Sequence, residues 1–260
     1  MILTLFTAFL AVTAAARQLS SPLPIAQSRR GIDASTQCGK TNSETEGPFT
    51  ISSSELEAGN ATDGSQCIQV NAFNGSTISW KTNWTWTGRD SVKSFSNVNL
   101  DTAVGRQIRG ITNLPTLFEW TYDIDISSIA NVAYELITST SVDGDDINEI
   151  LIWLAAFNAQ PISSTVDEQG NPEPVTRNIN AHGSTWDLFV GLNETSNIFS
   201  FLPTNGTIQS FNSDLNVFVK FLILNNGLDQ SHVLKAAQAG TEVTSGSGTL
   251  TVAEYSLDVI

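Results

Sequence analysis

The sequence contains few histidines and cysteines, the residues that most often bind zinc. Its histidines are His182 and His232, and its cysteines are Cys38 and Cys67. The histidines lack the spacing of metal ligands, and the two cysteines fit a single disulfide bond, which an oxidising compartment would maintain. A zinc site is therefore not expected, and we predict a protein without a bound metal ion or cofactor.

Two further patterns could be mistaken for binding motifs. Asp143, Asp145 and Asp146 form an acidic cluster, but their spacing lacks the remaining ligands of an EF-hand loop, which favours a solvated loop over a calcium site. The run from Ser245 to Gly248 has the composition of a turn and matches neither a nucleophile elbow nor a phosphate-binding loop.

Basic residues are also scarce. The chain has 12 Lys and Arg against 26 Asp and Glu, a formal net charge of −14 at pH 7. This charge repels nucleic acids and anionic membrane surfaces, so we expect neither as a partner. A neutral polymer such as a polysaccharide encounters no such repulsion.

An apolar run long enough to span a bilayer is likewise missing. The run at residues 2–16 is shorter and ends in three alanines, the pattern of a cleaved signal peptide. We therefore predict a signal peptide at residues 1–16, a leader or pro-segment at residues 17–30 and a single catalytic domain at residues 31–260. The protein is expected to be secreted and monomeric.

N-glycosylation sequons agree with secretion. Five Asn-x-Ser/Thr sites occur, at Asn60, Asn74, Asn83, Asn193 and Asn205.

Most of the chain is predicted to form β-strands. Short apolar or alternating runs are separated by Gly, Asn, Asp and Pro, which favours a β-sandwich or jelly roll over a βαβ fold. Residues 214–225 have helical periodicity, and residues 162–183 form the longest predicted loop. The predicted strands lie at residues 67–73, 77–87, 91–95, 116–122, 130–138, 147–156, 185–191, 197–202 and 249–260.

One predicted strand carries three tryptophans on a single face. Trp80, Trp84 and Trp86 alternate with residues that include Asn83, whose glycan must point to solvent. The tryptophans therefore point toward the core or a cleft. Both readings stay open: three core aromatics, or one or two faces that stack on sugar rings.

A second strand places a carboxylate beside apolar residues. Glu149, Leu151 and Trp153 share one face of residues 147–154. A carboxylate in such a setting is costly unless it has a partner or a function. It is either a hydrogen-bonded structural residue or part of a partly desolvated site with a shifted pKa.

The order of several segments resembles glycoside hydrolase family 12, which comprises secreted endo-β-1,4-glucanases and xyloglucanases. The segments that carry the resemblance are Trp80-Lys-Thr-Asn-Trp-Thr-Trp86, Val132-Ala-Tyr-Glu135-Leu, Asn148-Glu149-Ile-Leu-Ile-Trp153 and Ala239-Gly-Thr-Glu242. The resemblance implies an all-β jelly-roll sandwich of two antiparallel sheets, with a concave substrate cleft, one packed helix and a disulfide between Cys38 and Cys67. The implied partner is a β-1,4-linked plant cell-wall polysaccharide.

The resemblance also implies roles for individual residues. Glu149 would be the nucleophile, Glu242 the acid/base and Glu135 a residue that supports the nucleophile. Trp153 would border the reactive sugar, and Trp84 and Trp86 are candidates for substrate binding. Such a retaining mechanism needs the two catalytic carboxyl groups about 5–5.5 Å apart. Their charges then couple, so Glu242 should stay protonated while Glu149 is ionised.

Three departures from the family pattern leave a second reading open. Glu135 replaces an Asp, Val243-Thr-Ser replaces a Pro-Phe-Thr that follows the acid/base, and two N-terminal stacking tryptophans are missing. The alternative is a catalytically weak member that binds cell-wall glucan or a wall protein.

Overall fold

The computed structural model describes residues 35–40, 42–55, 61–88, 91–193 and 196–260. The predicted signal peptide, the predicted leader and the sequon at Asn60 lie outside these residues. Among the described residues, no helix is long and apolar enough to cross a membrane.

Two β-sheets form the fold, with strands numbered along the chain. The first sheet has the spatial order β1 (Gln37–Cys38), β4 (Ala61–Phe73), β5 (Ile78–Gly88), β14 (Val233–Leu257), β7 (Pro115–Ile124) and β13 (Ser210–Asp214). The second sheet has the order β2 (Ser43–Glu46), β3 (Phe49–Ser52), β6 (Ser94–Leu100), β14, β8 (Ile129–Ser139), β9 (Asn148–Phe157), β12 (Ser196–Pro203), β11 (Ser184–Asn193) and β10 (Thr176–Ala181).

Among the strands described, the pairing is antiparallel with one exception. Strand β12 runs parallel to β9, with Ile198 opposite Glu149. The prediction of two antiparallel sheets is therefore wrong for this one pair of strands. The chain makes a long excursion through β10 and β11 between these two strands, which gives a parallel pair the crossover it requires.

Strand β14 belongs to both sheets. Its N-terminal half pairs with β6 and β8 in the second sheet, and its C-terminal half pairs with β5 and β7 in the first. The turn predicted at residues 245–248 is therefore wrong, because these residues continue the strand. Gly246 has a φ of +103°, and a Cβ there would lie 2.2 Å from Ser128 Oγ. This glycine permits the close approach at the point where β14 passes from one sheet to the other.

The core lies between the sheets and contains large aromatic side chains. Trp80, Tyr134, Trp186, Phe118 and Tyr255 are all fully buried there. The predicted alternation along β5 is confirmed, because its tryptophans are buried while Asn83 between them is exposed.

The one α-helix in the described part of the chain, α1, spans Asn216–Asn225 and confirms the predicted helix with a start two residues later. Asp214 ends β13 instead, and its Oδ1 accepts hydrogen bonds from the backbone N–H groups of Leu114 and Asn216. The predicted loop at residues 162–183 is partly wrong, because it contains β10. The disulfide between Cys38 and Cys67 is confirmed and ties β1 to β4.

Candidate active site

A cavity of about 1040 Å³ lies over one face of the second sheet, on the side opposite the core. It crosses five adjacent strands, β6, β14, β8, β9 and β12, and is called the cleft below. Residues that face it from these strands are Phe95, Asn97, Gln238, Glu242, Asn131, Glu135, Ile137, Glu149, Leu151, Trp153 and Ile198. Four interstrand spacings of about 4.8 Å make this crossing about 19 Å wide.

Glu149 reaches the cleft through the alternation of β9. Ile150, Ile152 and Leu154 point into the core and are fully buried, so Glu149 and Trp153 must point the other way. Partial burial raises the pKa of the Glu149 carboxyl, and the charges of Asp146 and Glu242 raise it further. A hydrogen bond with Ser196 acts in the opposite direction.

Glu135 stands between the other two carboxylates. It lies on β8, the strand between β9 and β14, opposite Leu151 on one side and Gln238 on the other. Burial raises the pKa of Glu135 well above its usual range, and the charges of Glu242, Glu149 and Asp146 add to this effect. We therefore expect Glu135 to be the most strongly protonated of the three carboxyl groups.

Glu242 enters the cleft from β14 and is held by one neighbour. Asn131 Nδ2 donates to Glu242 Oε2, and the Glu242 backbone N–H donates to Asn131 Oδ1 at 3.0 Å. Burial raises the pKa of Glu242, while the hydrogen bond from Asn131 lowers it. The register aligns Glu242 with Asn131, so Glu242, Glu135 and Glu149 follow a diagonal across three consecutive strands.

The segment after Glu242 is well packed despite its departure from the family pattern. Val243 is fully buried in a small cluster with Trp84, Trp86 and Ala130. The strand that carries Glu242 is therefore anchored by packing at the residue directly after the carboxylate.

The tryptophans of β5 lie behind the site. Trp84 and Trp86 are 2% and 3% exposed, and neither lines the cleft. Their indole N–H groups donate to Tyr122 Oη at 2.8 Å and to Ser94 Oγ at 3.1 Å. Substrate binding by Trp84 and Trp86 stays a prediction, one that their burial does not favour.

Trp153 does line the cleft, where it packs with Ala133, Leu151 and Ile198. It is 4% exposed, and its indole Nε1 has no hydrogen-bond partner among the described residues. At the other end of the cleft stand Ser54 and Ser91, so this part of the lining has no tryptophan among the residues described.

The remaining predicted site residues lie elsewhere on the surface. Asn74, Asn83, Asn193 and Asn205 are all exposed, and Asn193 also borders the cleft. The described residues contain no cluster of three or more His, Cys, Asp or Glu side chains able to hold a metal ion.

Sequence reasoning missed Asn131. The signal available was its position four residues before Glu135, which places both on one face of β8. Its contact with Glu242 depends on the register of β8 against β14, which the sequence does not reveal.

Comparison with known proteins gives a consistent result. Residues 48–260 match the sequence profile of glycosyl hydrolase family 12. The chain is 39% identical over 225 residues to xyloglucan-specific endo-beta-1,4-glucanase A of Emericella nidulans, covering 85% of this chain and 90% of that protein. It is also 34% identical over 231 residues to inactive glycoside hydrolase XLP1 of Phytophthora nicotianae, covering 88% and 93% of the two chains.

The fold comparison agrees. The catalytic domain of Humicola grisea Cel12A, solved with a thio cellotetraose, superposes with a TM-score of 0.78 at 29% identity, covering 87% of this chain and 99% of that one. The chain therefore belongs to glycosyl hydrolase family 12 and is a glycoside hydrolase with a jelly-roll fold.

Proposed function

We propose that the protein is a secreted, retaining endo-β-1,4-glucanase that acts on xyloglucan or a related β-1,4-glucan. The observation that carries this proposal is the diagonal of Glu149, Glu135 and Glu242 inside one open cleft. Two carboxyl groups of different protonation on either side of a glycosidic bond are what this hydrolysis requires.

In the first step, Glu149 attacks the anomeric carbon and the glycosidic bond breaks. Glu242 gives its proton to the leaving oxygen, and a glycosyl-enzyme ester forms on Glu149. In the second step, Glu242 takes a proton from water, which attacks the same carbon and releases Glu149. The configuration at the anomeric carbon is retained after two displacements.

Glu135 assists by staying neutral. Its burial between two other carboxyl groups favours the protonated form, so it does not add a second negative charge beside the ionised Glu149. A protonated carboxyl is also a hydrogen-bond donor, which suits a residue that supports an ionised Glu149.

The substrate class follows from the shape of the cleft and from the relatives. A groove that crosses five strands accommodates a chain segment of several sugar residues and not only a chain end. The relative from Emericella nidulans is named for xyloglucan, and this chain is proposed to share that preference. The serines at one end of the cleft leave more space beside the glucan backbone than tryptophans would.

The second candidate function is binding without efficient catalysis. It rests on the 34% identity to an inactive relative and on the Val243-Thr-Ser sequence after Glu242. The burial of Val243 and the contacts of Asn131 favour an ordered acid/base, so catalysis is the better supported proposal.

The deciding experiment measures reducing-sugar release from xyloglucan, carboxymethylcellulose and mixed-linkage glucan. Glu149→Gln and Glu242→Gln are each expected to lower kcat/KM on the preferred polymer by at least about 10³-fold. Proton NMR of the first product should show the β-anomer. A wild-type protein that binds glucan and releases no sugar from any polymer would overturn the enzymatic proposal.

A further inference from the structure

Asn131 makes two separate contacts with Glu242. Its Oδ1 accepts the Glu242 backbone N–H, which pins the strand, and its Nδ2 donates to Oε2 of the carboxyl group. The first contact alone would satisfy a structural role. The second contact requires another explanation, because it engages the reactive group itself. The two contacts together also fix the orientation of the amide, since exchanging its oxygen and nitrogen would place donor against donor.

A buried chain of hydrogen bonds holds the other side of Asn131. Thr241 Oγ1 donates to the backbone carbonyl oxygen of Asn131 at 2.6 Å and lies 2.8 Å from Tyr122 Oη. Tyr122 Oη also receives the indole N–H of Trp84 at 2.8 Å.

The donor and the acceptor of every hydrogen bond in this series can be assigned. An indole N–H can only donate, and the Thr241 proton is committed to the backbone carbonyl of Asn131. Tyr122 must therefore donate its own proton to Thr241 Oγ1. Burial raises the pKa of Tyr122, so that proton remains in place at the pH values where carboxyl groups titrate.

We propose that Asn131 is a positioning residue for the acid/base, and that the chain Trp84–Tyr122–Thr241 holds Asn131 in place. Asn131 occupies Oε2 of Glu242, so Oε1 is the oxygen that carries the proton to the leaving group and later takes one from water. This inference rests on the proposed function and adds to it the atom that transfers the proton.

The hydrogen bond also has an electrostatic effect whose sign is fixed. A donor on Oε2 stabilises the ionised carboxylate and lowers its pKa, so removing the donor raises the pKa of Glu242. Among the described residues, the other charged groups on this part of the cleft are Glu135 on β8, Glu149 on β9 and Asp146 before β9. Strand β6 presents the uncharged Phe95 opposite Glu242, and the Lys93 ammonium before it donates to Ser91.

The test compares two substrates in the full-length protein. Xyloglucan needs a proton on its leaving oxygen, whereas a chloronitrophenyl β-cellotrioside has a leaving group that departs without one. For Asn131→Ala we expect kcat/KM to fall about 10- to 100-fold on xyloglucan and less than about 3-fold on the aryl glycoside. The alkaline limb of kcat/KM on xyloglucan should move to higher pH.

A matched pair tests the buried chain. Thr241→Val removes the hydroxyl at nearly constant volume, so it should lower kcat/KM more on xyloglucan than on the aryl glycoside, by a smaller factor than Asn131→Ala. Thr241→Ser keeps the hydroxyl and should keep the wild-type ratio of the two kcat/KM values. Should Asn131→Ala fail to fold, this pair decides the question.

Equal losses on both substrates, or an alkaline limb that stays in place, would overturn the positioning role. That result is distinct from failure of the proposed function, in which the wild-type protein itself is inactive on both substrates.

Discussion

Glu135 and Glu149 are diagonal neighbours on adjacent antiparallel strands, because Glu135 lies opposite Leu151 while Glu149 lies opposite Ile137. Side chains in this relation are close enough for long residues to interact. Burial and the charges of Glu242, Glu149 and Asp146 raise the pKa of Glu135, so ionising Glu135 while Glu149 is ionised is electrostatically unfavourable.

This relation predicts how stability depends on pH. The folded protein raises the pKa of Glu135 above its ordinary value of 4.5, so the folded state binds this proton more tightly than the unfolded chain does. The resulting stabilisation is complete below the ordinary pKa and is lost as pH rises through the folded-state pKa. We compare the free energy of unfolding at about pH 4.5 with that at about pH 8. Raising the pH should lower this free energy less in Glu135→Gln than in the wild-type protein, because glutamine carries no proton to lose.

Urea unfolding at both pH values measures this difference. Glu168→Gln is the control, because Glu168 is an exposed loop carboxylate and its removal should leave the pH dependence of wild type unchanged. Parallel curves for wild type and Glu135→Gln would show that Glu135 is not the group responsible.

Gly240 is expected to be essential for folding. A Cβ at this position would lie 1.9 Å from the carbonyl oxygen of Ser96, and backbone cannot move aside as a side chain can. We expect Gly240→Ala to lower the free energy of unfolding by about 3 kcal/mol or more. Gly110→Ala is the control, since no atom lies within 4 Å of a Cβ there, and it should change stability by less than about 1 kcal/mol. Similar thermal midpoints for the two variants would contradict this expectation.

Trp153 is expected to contribute to substrate binding. It lines the cleft beside Glu149, whereas Trp80 is fully buried in the core. Trp153→Leu should raise KM on xyloglucan about 3- to 10-fold, by analogy with the free energy of aromatic pairs. Trp80→Phe should reduce the thermal midpoint and leave KM unchanged. An unchanged KM in Trp153→Leu would assign Trp153 to packing alone.

A glycan at Asn193 is expected to narrow the cleft. Asn193 is exposed and borders the cleft, whereas the sequon residue Asn74 is exposed but does not line it. In protein from a glycosylating host, Asn193→Gln should increase kcat/KM on polysaccharide, because a bulky group leaves the cleft rim. Asn74→Gln removes one sequon elsewhere and should have no effect. Identical kinetics in both variants would contradict the prediction.

Local alternation predicted the orientation of strands but not their neighbours. The face of β9 that carries Glu149 and Trp153 was correctly inferred, because period-two alternation depends on adjacent residues alone. The same reasoning left Trp84 and Trp86 undecided between core and cleft, since both environments are desolvated. Their burial behind Glu242 depends on Val243, a contact across the two sheets.

The principal difference between the secondary structure predicted from sequence and the observed one lies in strand β14. Its Gly and Ser residues are typical of turns, yet the glycines are needed where β14 passes close to Ser96 and Ser128. Such close approaches depend on tertiary packing, so composition alone could not distinguish them from a turn.

Because β14 belongs to both sheets, the position of Glu242 depends on the cooperative unfolding of the whole domain. Glu242 stands on one half of β14, and the other half is paired on both sides inside the opposite sheet. An opening that released Glu242 would have to separate its half of β14 from β6 and β8 while the other half holds the same strand in the first sheet, so we expect its cost to approach that of global unfolding. Local unfolding around Glu242 should therefore be rare. On heating, we expect activity to be lost together with the whole fold and not before it.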